Sequence, residues 1–587
     1  MRPTTRRWLF MLSAILIIGL AASRVAPLNA KRTECRLNAA PLPESAKPSM
    51  MLRPLLALGR APLVDFLWLR ATKLKDEGRY FDADQLSRLI CDLQPRFASV
   101  WAFQAWNMAY NISVTLGAAE DRWRWVSNGI DLLRDKGIPL NPNNLQLYRE
   151  LGWIFFHKVA DFTDEHHWYY KWQLARQVEE ILGSPPPDYV GPGRSRGEFY
   201  RNYDYKPLAE APNKFESLLQ NPETAAFVKR FERFGFKVEE SGVYLGIVEQ
   251  ITDETIRIPN GTPETEAELR HELVKMMTDP ATAPIRAELE YFWRANWLRR
   301  DLKIDPAWLL ELSESYGVIF DLRLGETHAL YWTSKGLELG HKKSTRIDIH
   351  QLNTTRIGYF CLKNMSERGR LTLVPEVEQG MRPFLIPDLR FGEVLFDHYL
   401  AETKRIWEDT KGKVEVNINV FGGFVGFTRT LILRYAERNE MKKAREKFEF
   451  LRENFPDPMY DGGFERFLVL QFPEDRTFDD YRGTMNRLNG LIGRGLVPLA
   501  YDEDDLATPW LNRARGVYDR YHENLVAERE GLPKFEVILE GRVHEEGGRM
   551  NRSAYERMCR KLGIEPLPPK DESKANRPDV AASPATR

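Results

Sequence analysis

The sequence predicts a mostly α-helical chain whose helical hairpins stack into an α-solenoid, interrupted by an irregular helical middle section. Two spacings and the composition predict it. Tyr80, Ala83 and Pro95, then Trp172, Ala175 and Pro187, then Met441, Ala444 and Pro456 repeat one pattern: a small residue three positions after the first, a proline twelve later. In the second spacing Pro95 is followed at six residues by Trp101 and at ten by Ala105, and Pro142 at six by Tyr148 and at ten by Gly152. Recurrence of this kind marks stacked hairpins. The 15 Trp and 22 Tyr suit an ordered, packed chain.

From the N-terminus, Arg2, Arg6 and Arg7 precede an uncharged apolar run, Trp8 to Ser23, which Arg24 ends. At 1.5 Å per residue this run spans about 24 Å, short of the ~30 Å hydrocarbon core. The pattern predicts a signal peptide or signal anchor over residues 1–23. The expected localisation is a single pass of the inner (plasma) membrane through residues 8–23, with the bulk extracytoplasmic, or a secreted or periplasmic chain after cleavage. Residues 24–60, rich in Pro, Ala and basic side chains, read as a tether.

Residues 61–190 read as the first set of hairpins. Leu63, Phe66, Leu67, Arg70 and Leu74 make one helix face, and Gly78 caps it. Tyr80, Ala83, Ser87 and Ile90 make the next, and Pro95 forbids continuation because it lacks an amide donor. In each unit a bulky residue fills a groove, and a small one four positions on lets two backbones approach. Residues 191–410 form a less regular, mainly helical middle. There Val243 to Val248 and Ile256 to Ile258 are compatible with strand or helix. Arg286–Asp301, Thr327–Leu339, Arg346–Leu362 and Phe391–Trp407 read as helices, and Ala329, Trp332 and Gly336 hint at another hairpin. Residues 411–565 hold the second set of hairpins, with Phe421 to Phe424 as a hinge before them. Residues 566–587 are too poor in apolar side chains to offset ordering entropy and read as a disordered tail.

Met441, Ala444, Phe448, Leu451 and Pro456 resemble the second helix of the tetratricopeptide repeat family, while Leu431 and Tyr435 supply much of the first. Trp101 with Ala105, and Tyr148 with Gly152, match the first helix of two other units. The resemblance covers residues 64–187 and 425–456. The unit from Ala98 to Asn144 is about 13 residues longer than the family's 34, and Ile130 stands where its second helix wants a small residue. The resemblance implies a binding scaffold with a protein or peptide partner on a concave helical face.

Other chemistry has less support. Lys plus Arg equals Asp plus Glu at 84 each, so no net field favours nucleic acid. Cys35, Cys91, Cys361 and Cys559 form no CxxC pair, which leaves neither a disulfide framework nor a thiolate metal site. No phosphate-binding glycine loop appears, so no nucleotide or other small-molecule cofactor is expected. His157, Asp161, Asp164, Glu165, His166 and His167 cluster, but without His-Glu-x-x-His spacing. Acids that cap a helix account for them better. Trp101, Trp106, Trp123, Trp125, Trp153, Trp168 and Trp172 are expected mostly to pack, with one or two exposed as peptide anchors. Arg122 and Arg124 are expected on a solvated charged face, with acidic peptide ends as a second use.

The expected function is a membrane-tethered scaffold or adaptor without catalysis and without cofactor or metal. The alternatives are a metal-dependent hydrolase using the His157–His167 cluster and a structural subunit of an envelope complex.

Overall fold

The structure is a computed structural model that describes residues 3–34, 53–185, 196–240, 242–250, 256–340, 349–376, 380–409, 414–438, 440–471, 481–523 and 531–568. Cys35, Pro187 and the tail from residue 569 lie outside the described residues. The chain is mostly helical, as its apolar periodicity predicts; among the described residues the only sheet is a two-stranded one, β1 (Arg370–Glu376) with β2 (Gly380–Ile386). That sheet was not anticipated. Two compact units divide the chain: Met1–Ser184, Tyr200–Leu371 and Ile386–His398 in one; Pro185–Phe199, Thr372–Leu385 and Tyr399–Arg587 in the other. The break expected near 190 lies beside the division at Ser184 and Pro185, whereas the one expected near 410 lies inside the second unit.

The single-pass membrane placement is overturned. No helix among the described residues is long and apolar enough to cross a membrane. The first helix, α1 (Pro3–Glu34), has 32 residues, but charge confines its apolar run to Trp8–Ser23; Arg24, Asn29, Lys31 and Arg32 follow. The tether is corrected at both ends, because residues 24–34 continue α1 and α2 (Arg53–Asp76) starts before residue 61.

In the first unit α2 and α3 (Tyr80–Leu93) form a hairpin turned at Gly78, whose φ of 76° suits a residue without Cβ. The buried stripe of α2 is Val64, Leu67, Ala71 and Leu74, whereas Leu63 and Phe66 are exposed. The predicted face was thus rotated by one residue, because α2 is apolar on both sides. α4 (Ala98–Trp106), α5 (Ala119–Asp131), α6 (Leu145–Trp153) and α7 (His167–Leu182) follow, and α4 packs on both α3 and α6. α8 (Gly325–Leu339), far along the chain, packs against α6 and against α9 (Ile349–Arg368).

Three of these helices run on into π-helical turns, at Asn107–Ile112, Leu132–Gly137 and Ile154–Ala160. The helices therefore reach Ile112, Leu140 and Ala160. A further core of this unit gathers Phe227, Phe231, Tyr244, Leu273 and Phe292. Val243–Gln250 resolves as a helix.

The second unit holds the part of α10 (Leu389–Asp409) from Tyr399 onward, then α11 (Val414–Glu437), α12 (Met441–Asn454) and α13 (Gly463–Gln471). Its C-terminal part has a core of Leu488, Ile492, Leu496, Ala507, Val517 and Met558. The expected hinge at Phe421–Phe424 lies inside α11. An added Cβ at Gly423 would collide with the Tyr399 hydroxyl, so glycine there lets α11 approach α10 rather than bend.

Candidate functional site

The residues singled out by spacing fall into a consistent local geometry. Ala83, Ala105, Ala175 and Ala444 are fully buried, and Trp101, Tyr148, Gly152 and Phe448 are buried. Tyr80 and Met441 each open a 14-residue helix, half-buried and exposed respectively. The residue before each helix has φ, ψ of −87°, 64° and −82°, 54°; the residue after has −131°, 69° and −136°, 67°. Pro95 (buried) and Pro456 (exposed) follow directly, as a helix stop requires. The third stretch differs. Trp172 lies within α7, which starts earlier, at His167, and ends at Gly183 with φ 81°.

The six-residue spacing has a hydrogen-bond cause. Trp101 Nε1 donates to the Pro95 carbonyl at 2.9 Å, and Tyr148 Oη donates to the Pro142 carbonyl at 2.9 Å. Asn141 Nδ2 also donates to the Pro95 carbonyl at 2.9 Å. Buried carbonyls must be paired, and an aromatic with a polar tip both fills the space and pairs them. His328 Nε2 lies 2.8 Å from the Leu322 carbonyl at the same separation without a proline, at the start of the helix whose Ala329 and Gly336 the sequence hinted at. Two of the small residues lie where neighbouring helices touch. An added Cβ at Gly152 would sit 2.5 Å from Thr333 Cγ2 of α8, and one at Gly336 would strike Tyr148. Where Ile130 replaces the small residue, its neighbour Gly129 takes the role, against the Ala105 carbonyl.

The His157–His167 stretch is an internal charge network. Asp164 pairs with Lys158 at 2.5 Å and lies 3.6 Å from Arg122, which also holds Glu165. These cations, with the His166 amide, hold the Asp164 carboxyl below its usual range against the opposing effect of burial. Arg368 pairs with Asp161 at 3.0 Å and approaches Glu326 at 3.5 Å. Buried Lys171 donates to the Asp161 carbonyl at 2.8 Å, and burial pushes its amine down to about 7. Burial likewise raises the Glu326 carboxyl. His157 stacks on Trp153 with ring centres 5.0 Å apart. Among the described residues no three His, Cys, Asp or Glu side chains converge as metal ligands, and the acids here already answer cations. Arg122 is corrected accordingly: its side chain is 11% exposed and spent on Asp164 and Glu165, whereas Arg124 is exposed beside Asp121. Of the seven clustered Trp, only Trp106 is exposed, and it stacks on Tyr110.

An open concavity lies in the second unit. A groove of about 920 Å³ is walled by Leu400 of α10, by Phe421, Gly422, Val425, Gly426 and Arg429 of α11, and by Phe450, Phe455 and Pro456 at the end of α12. Phe421 and Phe450 both pack against Phe455, at 6.3 and 6.4 Å between ring centres. The polar rim is Thr403, Lys404, Arg429, Asn454 and Asp457. Arg429 is fixed: Nε donates to Tyr460 Oη at 2.7 Å and a terminal nitrogen to Asp457 at 2.8 Å. A backbone amide, that of Met459, and then Arg429 keep the Asp457 carboxyl below its usual range.

Sequence reasoning found the hairpin and missed this groove. Its trace was Gly422 and Gly426, four apart and so on one helix face, the first of them inside the segment taken for a hinge. No protein-family profile matches the chain, and no curated protein sequence matches it.

Proposed function

We propose that the chain is a non-catalytic binding scaffold built of tetratricopeptide-like hairpins, and that the groove lined by α10, α11 and α12 receives a segment of a partner protein. The observation behind this reading is the groove: apolar walls, a short polar rim, and a position on the hairpin that best fits the repeat pattern. Covering such walls releases about 25 cal/mol for each Å² of apolar surface removed from water. Concave faces of stacked helical hairpins are suited to this use. The shared cap geometry of α3 and α12 supports a common module. The mutual neutralisation of Asp161, Asp164 and Glu165 by Arg368, Lys158 and Arg122 favours a structural role there over the hydrolase alternative.

The test places a photo-crosslinking amino acid at Val425 of the full chain in its own cells. A discrete adduct that disappears when Gly422→Leu fills the groove supports the reading. The same adduct in both proteins, or none in either, rejects it.

A further inference from the structure

We infer that the occupant of the groove is an amphipathic α-helix of a partner protein, laid along α11 with small or leucine-like side chains over Gly422 and Gly426 and a carboxylate toward Lys404. This rests on the binding reading above and specifies its ligand.

The floor of the groove is the first argument. Gly422 and Gly426 are exposed, and a Cβ added at either would meet nothing within 4 Å. Glycine inside a helix costs roughly 0.5–1 kcal/mol relative to alanine, so two on one face are a sizeable concession. Elsewhere the chain uses such glycines to seat a neighbouring helix: Gly152 receives Thr333, Gly336 receives Tyr148, and Gly129 meets the Ala105 carbonyl. Single open helical glycines also occur, at Gly19, Gly246, Gly490 and Gly541, but none of them lines this groove. At Gly422 and Gly426 the same seat is present, and no described residue fills it.

Backbone chemistry then selects a helix over an extended peptide. The described walls belong mainly to helices α10, α11 and α12, whose amides and carbonyls are bonded internally apart from their ends; only Phe455, Pro456 and Asp457, in the turn after α12, are non-helical. Among the described residues no strand edge lines the groove. An extended chain would bury N–H and C=O groups with nothing to pair them, whereas a helix brings its own. From Phe421 to Arg429 the α11 wall runs about 12 Å, two helical turns, which fits apolar contacts at i, i+3 or i+4, and i+7.

Charge supplies the last element. Of the two rim cations, Arg429 is engaged by Asp457, while Lys404 is exposed and shows no ion pair among the described residues. An acidic flank on the visiting helix complements it.

A display library of random 16-residue peptides, selected on the full chain, tests the inference. Enriched peptides should show helical apolar periodicity with acidic flanks. They should bind Gly426→Leu at least about tenfold more weakly, and lose binding when a central proline is inserted. Lys404→Glu should weaken them by a smaller factor, and Gly426→Ala, with its helix content checked by circular dichroism, serves as the mildest groove filler. Enrichment of proline-rich or alternating sequences that depend on Gly426, alongside a groove-dependent crosslink at Val425, overturns the helix while leaving the binding function in place. Enrichment that ignores Gly426→Leu, or no enrichment, together with no groove-dependent crosslink, rejects both. Either result beside a groove-dependent crosslink overturns the helix alone.

Discussion

The stacked helices of the first unit and the α11–α12 hairpin of the second use a 14-residue helix with matching caps, yet the end of one is sealed by donors and the end of the other opens on a groove. After Pro95 the chain supplies Trp101 and Asn141, and both donate to the proline's carbonyl. After Pro456 the sixth residue is Gly462, which has no donor side chain, and the proline stays exposed at the groove. Interior glycines follow the same contrast, occupied at Gly152 and vacant at Gly426. The difference teaches that the hairpin is set locally, whereas what seals its end depends on residues several positions further on.

The largest expected effect tests whether the shared helix is equally anchored in both places. Phe448 is fully buried against Tyr460, Phe464 and Phe467, so Phe448→Ala should cost about 3–5 kcal/mol. The equivalent residue in α3 is Ser87, whose hydroxyl donates to the Ala83 carbonyl at 2.8 Å; Ser87→Ala should cost about 1 kcal/mol or less. Hydrogen exchange resolved by peptide reads each helix separately, and equal losses would erase the distinction.

Next, Gly152→Ala should destabilise the first unit by about 1–3 kcal/mol, because its new methyl group has to displace Thr333. Trp101→Phe keeps the ring and removes the donor, leaving Asn141 on the Pro95 carbonyl. A loss of about 0.5–1.5 kcal/mol is expected in denaturant unfolding, with Tyr148→Phe similar. The smallest effect has the opposite sign. Gly426→Ala should stabilise α11 by roughly 0.5–1 kcal/mol, since its methyl enters open space. A destabilising result there would mean that the groove floor is covered in the free protein, and the contrast with Gly152 would collapse.

Much of this was legible in local signals. The period of Ala83, Ser87 and Ile90 and the stop at Pro95 mark α3, and Ala444, Phe448, Leu451 and the stop at Pro456 mark α12 in the same way. What escaped depends on distant partners. The membrane reading failed because the charge-free run Trp8–Ser23 is short, and the helix that carries it is not apolar over a length that crosses a membrane. Gly423 resembles a hinge until Tyr399 is placed beside it. Trp172 has the right neighbours in sequence, but α7 opens at His167, beyond the turn in which Asp164 meets Lys158. The β1–β2 pair went unnoticed among helices because short alternating runs such as Leu371-Thr372-Leu373 carry little weight alone.

The π turn at Leu132–Gly137 has a consequence for how this chain tolerates change in length. It is flanked by α-helix on both sides, Ala119–Asp131 and Ile138–Leu140. An extra residue in an ordinary α-helix would swing everything downstream by about 100° around the axis. A wider turn absorbs that residue locally, so side chains before and after it keep their bearings. Such turns act as expansion joints, letting individual rods grow or shrink while the docking surfaces at their two ends stay aligned.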